Sequence, residues 1–472
     1  MICTSALKGL NPTHIELAKM ESELQCFGKE AGAHIWVIAF PACGHILPLV
    51  DLTHQLLLRG LTVTILVTPK NLCYLNPLLS LHSPNVKTLV FPFPPHSPLP
   101  PGVEQMQDLP ISFVPDIANA LGKLYDPLFQ WFQTHTSPPV AILSDILLSS
   151  WTTKLASHLN IPNISFIPFN VAAVSFWFDN LNNSGSFYRE AFTASIQSRG
   201  LVFNSFKELE GVKLDMIKEK FTRNDRVWAV GPLLPVKAGD NGLNERGGPS
   251  SIPQDQVMAW LDSCKQNKSV VYVGFGSQIT LTKQQMKAIA SALEESGVRF
   301  IWAVKDPMKN VEVGGDDQSI IPNGFEDRVA GKGLVIKGWA PQVAILRHRA
   351  VGSYLTHCGW NSALEAILAG ILLLAWPMQA DHFHITKLLA DEFGVAIRVC
   401  KGLKSIPDAT KLARIFVDST SMTQPERIRA MELKKNALNA IRKGGTSYQA
   451  LDKLVEELSS NKIKIKRKRS SM

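Results

Sequence analysis

Residues 34–67 read HIWVIAFPACGHILPLVDLTHQLLLRGLTVTILV, and this stretch decides the fold class. The apolar run 34–40 predicts a buried strand, residues 46–59 predict a helix, and residues 61–67 predict a second strand. Strands that are apolar along their whole length and alternate with helices are typical of a parallel sheet with helices on both faces. We therefore predict an α/β fold.

The same alternation continues on both sides of a change in composition. Further strands are predicted at 86–91, 140–143, 164–167 and 201–203, and after the change at 270–273, 299–304, 334–336, 353–355, 371–375 and 395–399. Between residues 232 and 256 the chain is rich in Gly, Pro, Asp, Asn and Ser, which is typical of a linker. Two doubly wound domains joined by a linker would hold a ligand cleft between the carboxyl ends of their sheets.

The domain boundaries follow from these signals. We predict a disordered N-terminal extension at 1–33, an N-terminal domain at 34–232, a linker at 233–256, a C-terminal domain at 257–459 and a disordered basic tail at 460–472. Within the C-terminal domain, Thr282 is expected to cap a helix over residues 283–295, and Gly297 is expected to end it.

The net charge of +9 comes mostly from the C-terminal end of the chain. The last eleven residues carry six of these charges and no acid, which leaves +3 for the rest. A charge confined to one end favours a solvated tail over a nucleic-acid-binding surface, so nucleic acid is not expected as a partner. A nuclear-import signal or a membrane-surface contact is the alternative interpretation of the tail.

The cysteines indicate a reducing compartment. Seven cysteines are spread over the chain without a CxxC pair, which argues against a disulfide framework and against a zinc site. Charged residues interrupt the apolar runs of the first 33 residues, and no later stretch reaches 18 uninterrupted apolar residues. We expect a cytoplasmic, monomeric protein with no stable membrane insertion.

The stretch THCGWNS at 356–362 predicts an anion site. It lies where a strand ends and a helix begins, so the free amides of the first helical turn and the positive end of the helix dipole face outward. His357, Asn361 and Ser362 add side-chain donors. A second glycine-rich turn, GFGS at 274–277, is suited to a phosphate oxygen. A diphosphate is the expected guest of these two turns.

A longer stretch around this site is far more specific. Residues 339–382 read WAPQVAILRHRAVGSYLTHCGWNSALEAILAGILLLAWPMQADH, and these 44 residues closely resemble the signature of plant secondary-product glycosyltransferases. FPACGHILP at 40–48, LSD at 143–145 and GFGSQ at 274–278 are similar to the same family, and the resemblance runs from about residue 34 to residue 459. It implies the GT-B fold, in which two Rossmann-like domains face a cleft. The acceptor would bind to the N-terminal domain and a UDP-sugar to the C-terminal domain.

The resemblance also implies a role for each matching residue of the donor site. Trp339 would stack on uracil, and the backbone of Ala340 would read the uracil edge. Gln342 and Glu365 would hold the ribose hydroxyls, since a carboxylate can accept two hydrogen bonds from a cis-diol. The diphosphate would be bound by Ser277, His357, Trp360, Asn361 and Ser362, and the sugar hydroxyls by Asp381 and His382.

His45 and Asp145 form a second group of candidate residues. Each follows a predicted strand at its carboxyl end, so both can face the cleft. A neutral imidazole is suited to take the proton that an acceptor hydroxyl loses, and a carboxylate on the other ring nitrogen fixes its tautomer. Such a pair alone more often has capping roles; its match to the family's catalytic dyad favours catalysis. We expect no metal and no other cofactor, because helix amides can carry the leaving diphosphate.

Two departures from the family pattern bear on the sugar. The signature usually ends in Asp-Gln but ends in Asp381-His382 here, and family members with His at this position include some that use galactose or rhamnose. Residues 166–169, FIPF, are apolar where relatives often offer a hydroxyl to the sixth oxygen of a hexose, which suits a 6-deoxy sugar. Glucose, the commonest donor of the family, is our first expectation and rhamnose our second.

A third departure concerns the acceptor pocket. The chain between residues 173 and 202 is shorter than in the family, where this region helps to wall the pocket. The shortening predicts a more open pocket, or indicates an incomplete sequence or a protein with weak or no activity.

The sequence thus predicts an inverting glycosyltransferase that moves a hexose from a UDP-sugar to a hydroxyl of a small lipophilic phenol, such as a flavonoid or a hydroxybenzoate. Two alternatives stay open. One is a UDP-sugar-binding paralogue without turnover, which would release no UDP. The other is a UDP-sugar epimerase or hydrolase on the same fold, which would form its product without an acceptor.

Overall fold

Two parallel β-sheets form the framework of the protein. The structure is a computed structural model, which describes residues 32–222, 224–235, 250–305 and 321–470. The N-terminal sheet has seven strands in the order β3-β2-β1-β4-β5-β6-β7. They are β1 (His34–Ile38), β2 (Thr62–Val67), β3 (Val86–Val90), β4 (Ile142–Asp145), β5 (Asn163–Ile167), β6 (Gly200–Phe203) and β7 (Val227–Ala229).

The C-terminal sheet has six strands in the order β10-β9-β8-β11-β12-β13. They are β8 (Val270–Gly274), β9 (Arg299–Val304), β10 (Gly333–Lys337), β11 (Val351–Thr356), β12 (Leu372–Ala375) and β13 (Ala396–Arg398). The strand order reverses between β1 and β4 in one sheet and between β8 and β11 in the other. Ligands of open α/β sheets bind outside the carboxyl ends of the strands at such reversals.

The α-helices cover the faces of the two sheets. In chain order they are α1 (Cys43–Leu58), α2 (Asn76–His82), α3 (Val114–Gly122), α4 (Tyr125–Thr134), α5 (Ser149–His158), α6 (Val171–Asp179), α7 (Ser186–Ile196), α8 (Lys207–Ile217), α9 (Gln254–Asp262), α10 (Lys283–Ser296), α11 (Phe325–Arg328), α12 (Gln342–Arg347), α13 (Trp360–Ala369), α14 (His382–Thr386), α15 (Ala409–Asp418), α16 (Pro425–Ile441) and α17 (Thr446–Ser470). Among the residues that the structure describes, no helix combines the length and the apolar character needed to cross a membrane.

The first strand shows why the sheet is buried on both faces. Successive side chains of a strand point to opposite sides, and in β1 both sides are apolar. Ile35 and Val37 pack into a core with α1 and β2, whereas Trp36 and Ile38 pack into a second core with α3. The continuous apolar run at 34–40 is the sequence pattern of such a two-sided strand.

The predicted elements are found in place, with shifts at their ends. The strand predicted at 299–304 coincides with β9, and Thr282 caps α10 through a reciprocal capping box with Gln285. The first helix begins at Cys43 rather than at residue 46, and Cys43 is buried together with Ile46. Strand β7 was not predicted, since three residues are too few to show a periodicity.

The C-terminal end of the chain differs most from the prediction. Helix α17 lies on the N-terminal sheet, where Leu451, Leu454 and Leu458 are buried. The predicted boundaries instead placed residues 446–459 in the C-terminal domain. The Arg59 guanidinium donates to the Asp452 carboxylate over 2.8 Å and ties α1 to α17.

The predicted disorder of the basic tail stays a prediction, although the backbone there is helical. The helical backbone of α17 continues through Ser470, and the stretch 446–470 contains neither Gly nor Pro to stop it. The predicted N-terminal extension, except for its last two residues, and the central part of the predicted linker, residues 236–249, lie outside the described residues.

The docked helix yields a stability prediction. Leu454→Ala should lower the free energy of unfolding by about 2–5 kcal/mol, because Leu454 is fully buried against the N-terminal sheet. Urea denaturation measures the change, and Lys453→Ala, at an exposed position of the same helix, is the control. Equal stability of the two variants would contradict the docking of α17.

Candidate functional site

The carboxyl ends of the two sheets enclose a cavity of about 600 Å³. Its walls come from the loops after β1, β3 and β5 on one side and after β8 to β12 on the other. The residues predicted for the donor site all line it, together with the predicted base: His45, Ser277, Trp339, Ala340, Gln342, His357, Trp360, Asn361, Ser362, Glu365, Asp381 and His382. Asp145 lies behind His45 and is fully buried.

His45 and Asp145 are brought together by neighbouring strands. Asp145 is the last residue of β4, and His45 lies in the first turn of α1, just after β1. The Nδ1 atom of His45 lies 2.8 Å from Oδ2 of Asp145, and the backbone amide of Leu147 donates to Oδ1 of the same carboxylate. Because a carboxylate only accepts, Nδ1 carries the proton and Nε2 keeps its lone pair. This is the tautomer that a general base requires.

Aromatic and aliphatic side chains surround the base on the N-terminal side. The Phe40 and Phe169 rings lie 5.3 Å and 5.1 Å from the imidazole of His45, the latter edge to face. The wall continues through apolar side chains at Met106, Ile111, Val114 and Pro168. This side of the cleft is suited to a flat, mostly apolar molecule with a hydroxyl that reaches His45.

The predicted anion site forms around His357 and the start of α13. His357 is buried between two glycines: a Cβ atom on Gly276 would lie 2.6 Å from its ring, and one on Gly359 would lie 2.4 Å from it. Burial lowers the pKa of His357 to about 4, so the ring is neutral at physiological pH. The structure therefore offers a neutral donor, Ser277 and the helix amides to an anion.

The Trp360 side chain has a different role from its neighbours. Its indole is buried in the core of the C-terminal domain, and Nε1 donates to the carbonyl of Asn204 in the N-terminal domain over 2.7 Å. Trp360 can therefore bind an anion only through its backbone amide, while its side chain links the two domains.

The predicted ribose-binding pair is part of a hydrogen-bond network. Gln342 Nε2 donates to Glu365 over 2.8 Å and to Ser362 over 3.1 Å. Its Oε1 accepts from the hydroxyls of Tyr354, at 2.8 Å, and Tyr272, at 3.4 Å. Both donors and both lone pairs of the Gln342 amide are thus engaged. Gln342 holds Glu365 in place, rather than offering a free amide to a ribose.

Sequence reasoning missed the two tyrosines of this network. Tyr272 and Tyr354 are paired across β8 and β11, and their rings stack with centroids 4.7 Å apart. The only sequence signal was a tyrosine in each of two otherwise apolar strands. Lys305, after β9, was also missed; its ammonium donates to the backbone carbonyl of Gln107 across the cleft over 3.3 Å.

The uracil candidates lie directly after β10. Trp339 is partly buried, packs against the core of the N-terminal domain and lines the cleft. Ala340 is buried beside it. The structure thus places an indole next to a backbone segment in the wall of the cleft, where a base could stack.

Asp381 and His382 lie where α14 begins, after β12. Burial raises the pKa of Asp381 to about 7. Burial, with His357 nearby, lowers the pKa of His382 well below its usual value, so its ring is neutral. The backbone amide of Gln379 donates to Nδ1 of His382 over 3.3 Å, which places the remaining proton on Nε2. His382 can therefore only donate toward a ligand.

Comparison with known sequences gives a consistent result. The profile of the family described as "UDP-glucoronosyl and UDP-glucosyl transferase" matches residues 225–405. The chain is 51% identical over 430 residues to the flavonol 7-O-rhamnosyltransferase of Arabidopsis thaliana, covering 90% of this chain and 98% of that protein. It is 46% identical over 479 residues to the flavonol 3-O-glucosyltransferase UGT89B1 of the same plant, covering 92% and 97%.

Solved structures agree with the sequences. The crystal structure of Arabidopsis thaliana UGT89C1 complexed with UDP-L-rhamnose superposes with a TM-score of 0.84 at 49% identity, covering 91% of this chain and 100% of that chain. The same protein complexed with quercetin gives a TM-score of 0.81 at 48% identity, with the same coverage. These matches confirm the predicted fold of two Rossmann-like domains.

The network around Glu365 yields a binding prediction. Glu365→Ala should weaken the binding of UDP by about 1.5–3 kcal/mol, because a hydrogen bond to a charged group is lost. Calorimetric titration with UDP measures the change, and Glu432→Ala, at an exposed position of α16, controls for the lost charge. Unchanged UDP affinity in the Glu365 variant would show that the ribose binds elsewhere.

Proposed function

This chain belongs to the UDP-glycosyltransferase family, and we propose that it transfers L-rhamnose from UDP-L-rhamnose to a hydroxyl of a flavonol. The order of the two sugars expected from the sequence, glucose before rhamnose, is thereby reversed. Glucose stays the second candidate, because the relatives include a flavonol 3-O-glucosyltransferase.

The arrangement of the base supports a single displacement with inversion. The acceptor oxygen attacks the anomeric carbon while the bond from that carbon to the β-phosphate oxygen breaks. The hydroxyl proton passes to Nε2 of His45, and the carboxylate of Asp145, 2.8 Å from Nδ1, stabilises the resulting imidazolium. UDP leaves with the electron pair, toward the amides at the start of α13 and the neutral ring of His357.

The wall formed by Pro168 and Phe169 is the observation that carries the choice of sugar. Both residues line the cleft, and the Phe169 ring contacts His45, so the wall lies beside the reacting centre. A hydroxymethyl group against it would lose its hydrogen bonds to water without replacement, whereas the methyl group of a 6-deoxy sugar would gain apolar contact.

The proton position on His382 also bears on the recognition of the sugar. A glutamine at this place would both donate and accept toward neighbouring sugar hydroxyls, whereas His382 offers only the Nε2 proton. The two side chains therefore recognise different arrangements of hydroxyls. A sugar that binds to His382 must place an oxygen that accepts a hydrogen bond opposite the Nε2 proton.

The chain length also favours the rhamnosyltransferase as the guide to function. The alignments with the rhamnosyltransferase and the glucosyltransferase cover nearly the same share of this chain, yet they run to 430 and 479 residues. The additional positions are residues of the glucosyltransferase without a counterpart here. The short acceptor-side region expected at 173–202 fits this difference, since only a short turn separates α6 from α7 there and β6 follows soon after.

The acceptor class rests on the apolar half of the cleft. Its Phe, Met, Ile and Val side chains surround a space that suits a drug-sized aromatic molecule. Relatives act on flavonols, and a relative of the same fold is solved with quercetin. We assign a flavonol on these grounds.

The remaining expectations stay predictions. Among the residues that the structure describes, no three His, Cys, Asp or Glu side chains are grouped to hold a metal, and transfer in the presence of a chelator tests whether one takes part. A cytoplasmic location and a monomeric state likewise stay predictions. The intact dyad disfavours a paralogue without turnover, and UDP release without an acceptor would identify a hydrolase.

The base yields a first kinetic prediction. His45→Ala should lower the rate of transfer on the order of 10²–10⁴-fold, because general-base assistance is lost. UDP affinity should stay unchanged, since the donor residues lie on the other domain. Asp145→Asn should lower the rate strongly in the same way. Near-normal turnover of the His45 variant would show that His45 is not the general base. A parallel loss of UDP affinity would indicate misfolding.

The sugar site yields a second kinetic prediction. In competition among UDP-rhamnose, UDP-glucose and UDP-galactose, the wild type should prefer UDP-rhamnose, and His382→Gln should shift the preference toward UDP-glucose by roughly 10-fold. UDP affinity should change little, because uracil, ribose and diphosphate bind elsewhere. Identical donor rankings in the two proteins would show that His382 does not set the sugar.

A matched pair of variants tests the apolar wall. Phe169→Ser introduces a hydroxyl that can bond the sixth oxygen of a hexose, whereas Phe169→Leu keeps the wall apolar. We expect only the serine variant to gain relative activity with UDP-glucose. An equal gain in both variants would mean that the size of the side chain, rather than its polarity, limits the sugar.

A further inference from the structure

The helix that carries the base contains a proline with a specific consequence. Pro48 lies inside α1, four residues after Gly44. In an α-helix the amide of residue i donates to the carbonyl of residue i−4, and proline has no amide hydrogen. The carbonyl of Gly44, the residue just before His45, therefore lacks the i+4 amide donor that an α-helix normally supplies.

The missing donor comes from the other domain. Asn361, the second residue of α13, donates from Nδ2 to the carbonyl of Gly44 over 2.9 Å. Its Oδ1 is buried and has no hydrogen-bond partner among the described residues. The amide side chain is therefore held in the cleft by its bond to Gly44.

We propose that Asn361 is a positioning residue, which fixes the backbone of His45 relative to the donor site through the carbonyl that Pro48 leaves free. This inference rests on the proposed function, because it concerns where the base lies when the sugar is transferred. It differs from the role that family resemblance implies for Asn361, which is contact with the diphosphate.

The base needs this contact because its other anchor lies within its own domain. The bond to Asp145 fixes the rotation of the His45 ring relative to the N-terminal sheet. The anomeric carbon would be held by the C-terminal domain. The distances over which the proton moves and the new bond forms therefore depend on contacts across the cleft. A displacement of the order of 1 Å at a reacting centre can cost about 10²-fold in rate.

The contact is placed where it controls this distance directly. Gly44 and His45 are adjacent in the first turn of α1, and Asn361 and Ser362 are adjacent in the first turn of α13. One hydrogen bond thus joins the starts of two helices, one carrying the base and the other facing the leaving group.

A double-mutant cycle tests the proposal. Asn361→Ala should lower kcat roughly 3- to 10-fold beyond any loss of UDP affinity, which is the range expected for one neutral hydrogen bond. Pro48→Ala restores an amide that can bond Gly44 within the helix. In that background, Asn361→Ala should lower kcat distinctly less, while its effect on UDP affinity stays the same. An equal loss of kcat in both backgrounds would overturn the proposal.

The neighbouring residue supplies the matched control. Ser362 lines the same anion site but bonds Gln342 rather than the N-terminal domain. The effect of Ser362→Ala on kcat should therefore be the same with Pro48 and with Ala at position 48. A dependence of the Ser362 variant on position 48 as strong as that of Asn361→Ala would show that Pro48→Ala disturbs the whole site, and would overturn the assignment to Asn361.

A measurement on the ligand-free protein separates this inference from the proposed function. Hydrogen exchange in peptides covering residues 43–50 should accelerate roughly 3-fold or more in Asn361→Ala and stay unchanged in Ser362→Ala, because only the first loosens the start of α1. This outcome does not depend on any substrate. Unchanged exchange in Asn361→Ala would refute the positioning role, whereas a wild type that transfers no sugar would refute the proposed function alone.

Discussion

All strands of both sheets run parallel to their neighbours, and the arrangement of the site depends on this constraint. A parallel sheet sends the loops after its strands to one edge, so residues far apart in the chain meet there. His45 and Asp145 are 100 positions apart, yet adjacent strands bring their side chains within 2.8 Å. Because two such edges face each other, the candidate base and the candidate donor site, which come from different domains, share one cavity.

Sharing a cavity does not by itself align the base with the donor. The indole of Trp360, the ammonium of Lys305 and the amide of Asn361 each reach from the C-terminal domain to a backbone carbonyl of the N-terminal domain. The last helix, α17, adds an apolar contact by returning to the N-terminal sheet. These directional bonds and apolar contacts thus join the two domains around the cleft.

Burial determines what the polar residues of the cleft can offer. His357 and His382 are neutral because desolvation disfavours their charged forms. The amide of Gln342 is engaged by its tyrosine, serine and glutamate partners. Of Gln342 and Glu365, the glutamate is therefore the candidate for recognising a diol. Under the proposed function, selectivity for a sugar depends on the single remaining proton of His382 and on the apolar ring of Phe169.

The sequence alone determined the class of fold, the family and the candidate donor residues that line the cleft. Apolar runs with helices between them are a local pattern, and the donor signature is contiguous, so both can be read along the chain. Tertiary structure alone decided that Gln342 supports Glu365, that α17 belongs against the N-terminal sheet, and that Asn361 bonds Gly44. Each of these depends on partners between 23 and several hundred positions away, whose meeting no local pattern encodes. Pro48 illustrates the difference between the two. The sequence reveals that the carbonyl of Gly44 lacks its usual helical donor, and only the fold shows that Asn361 supplies one.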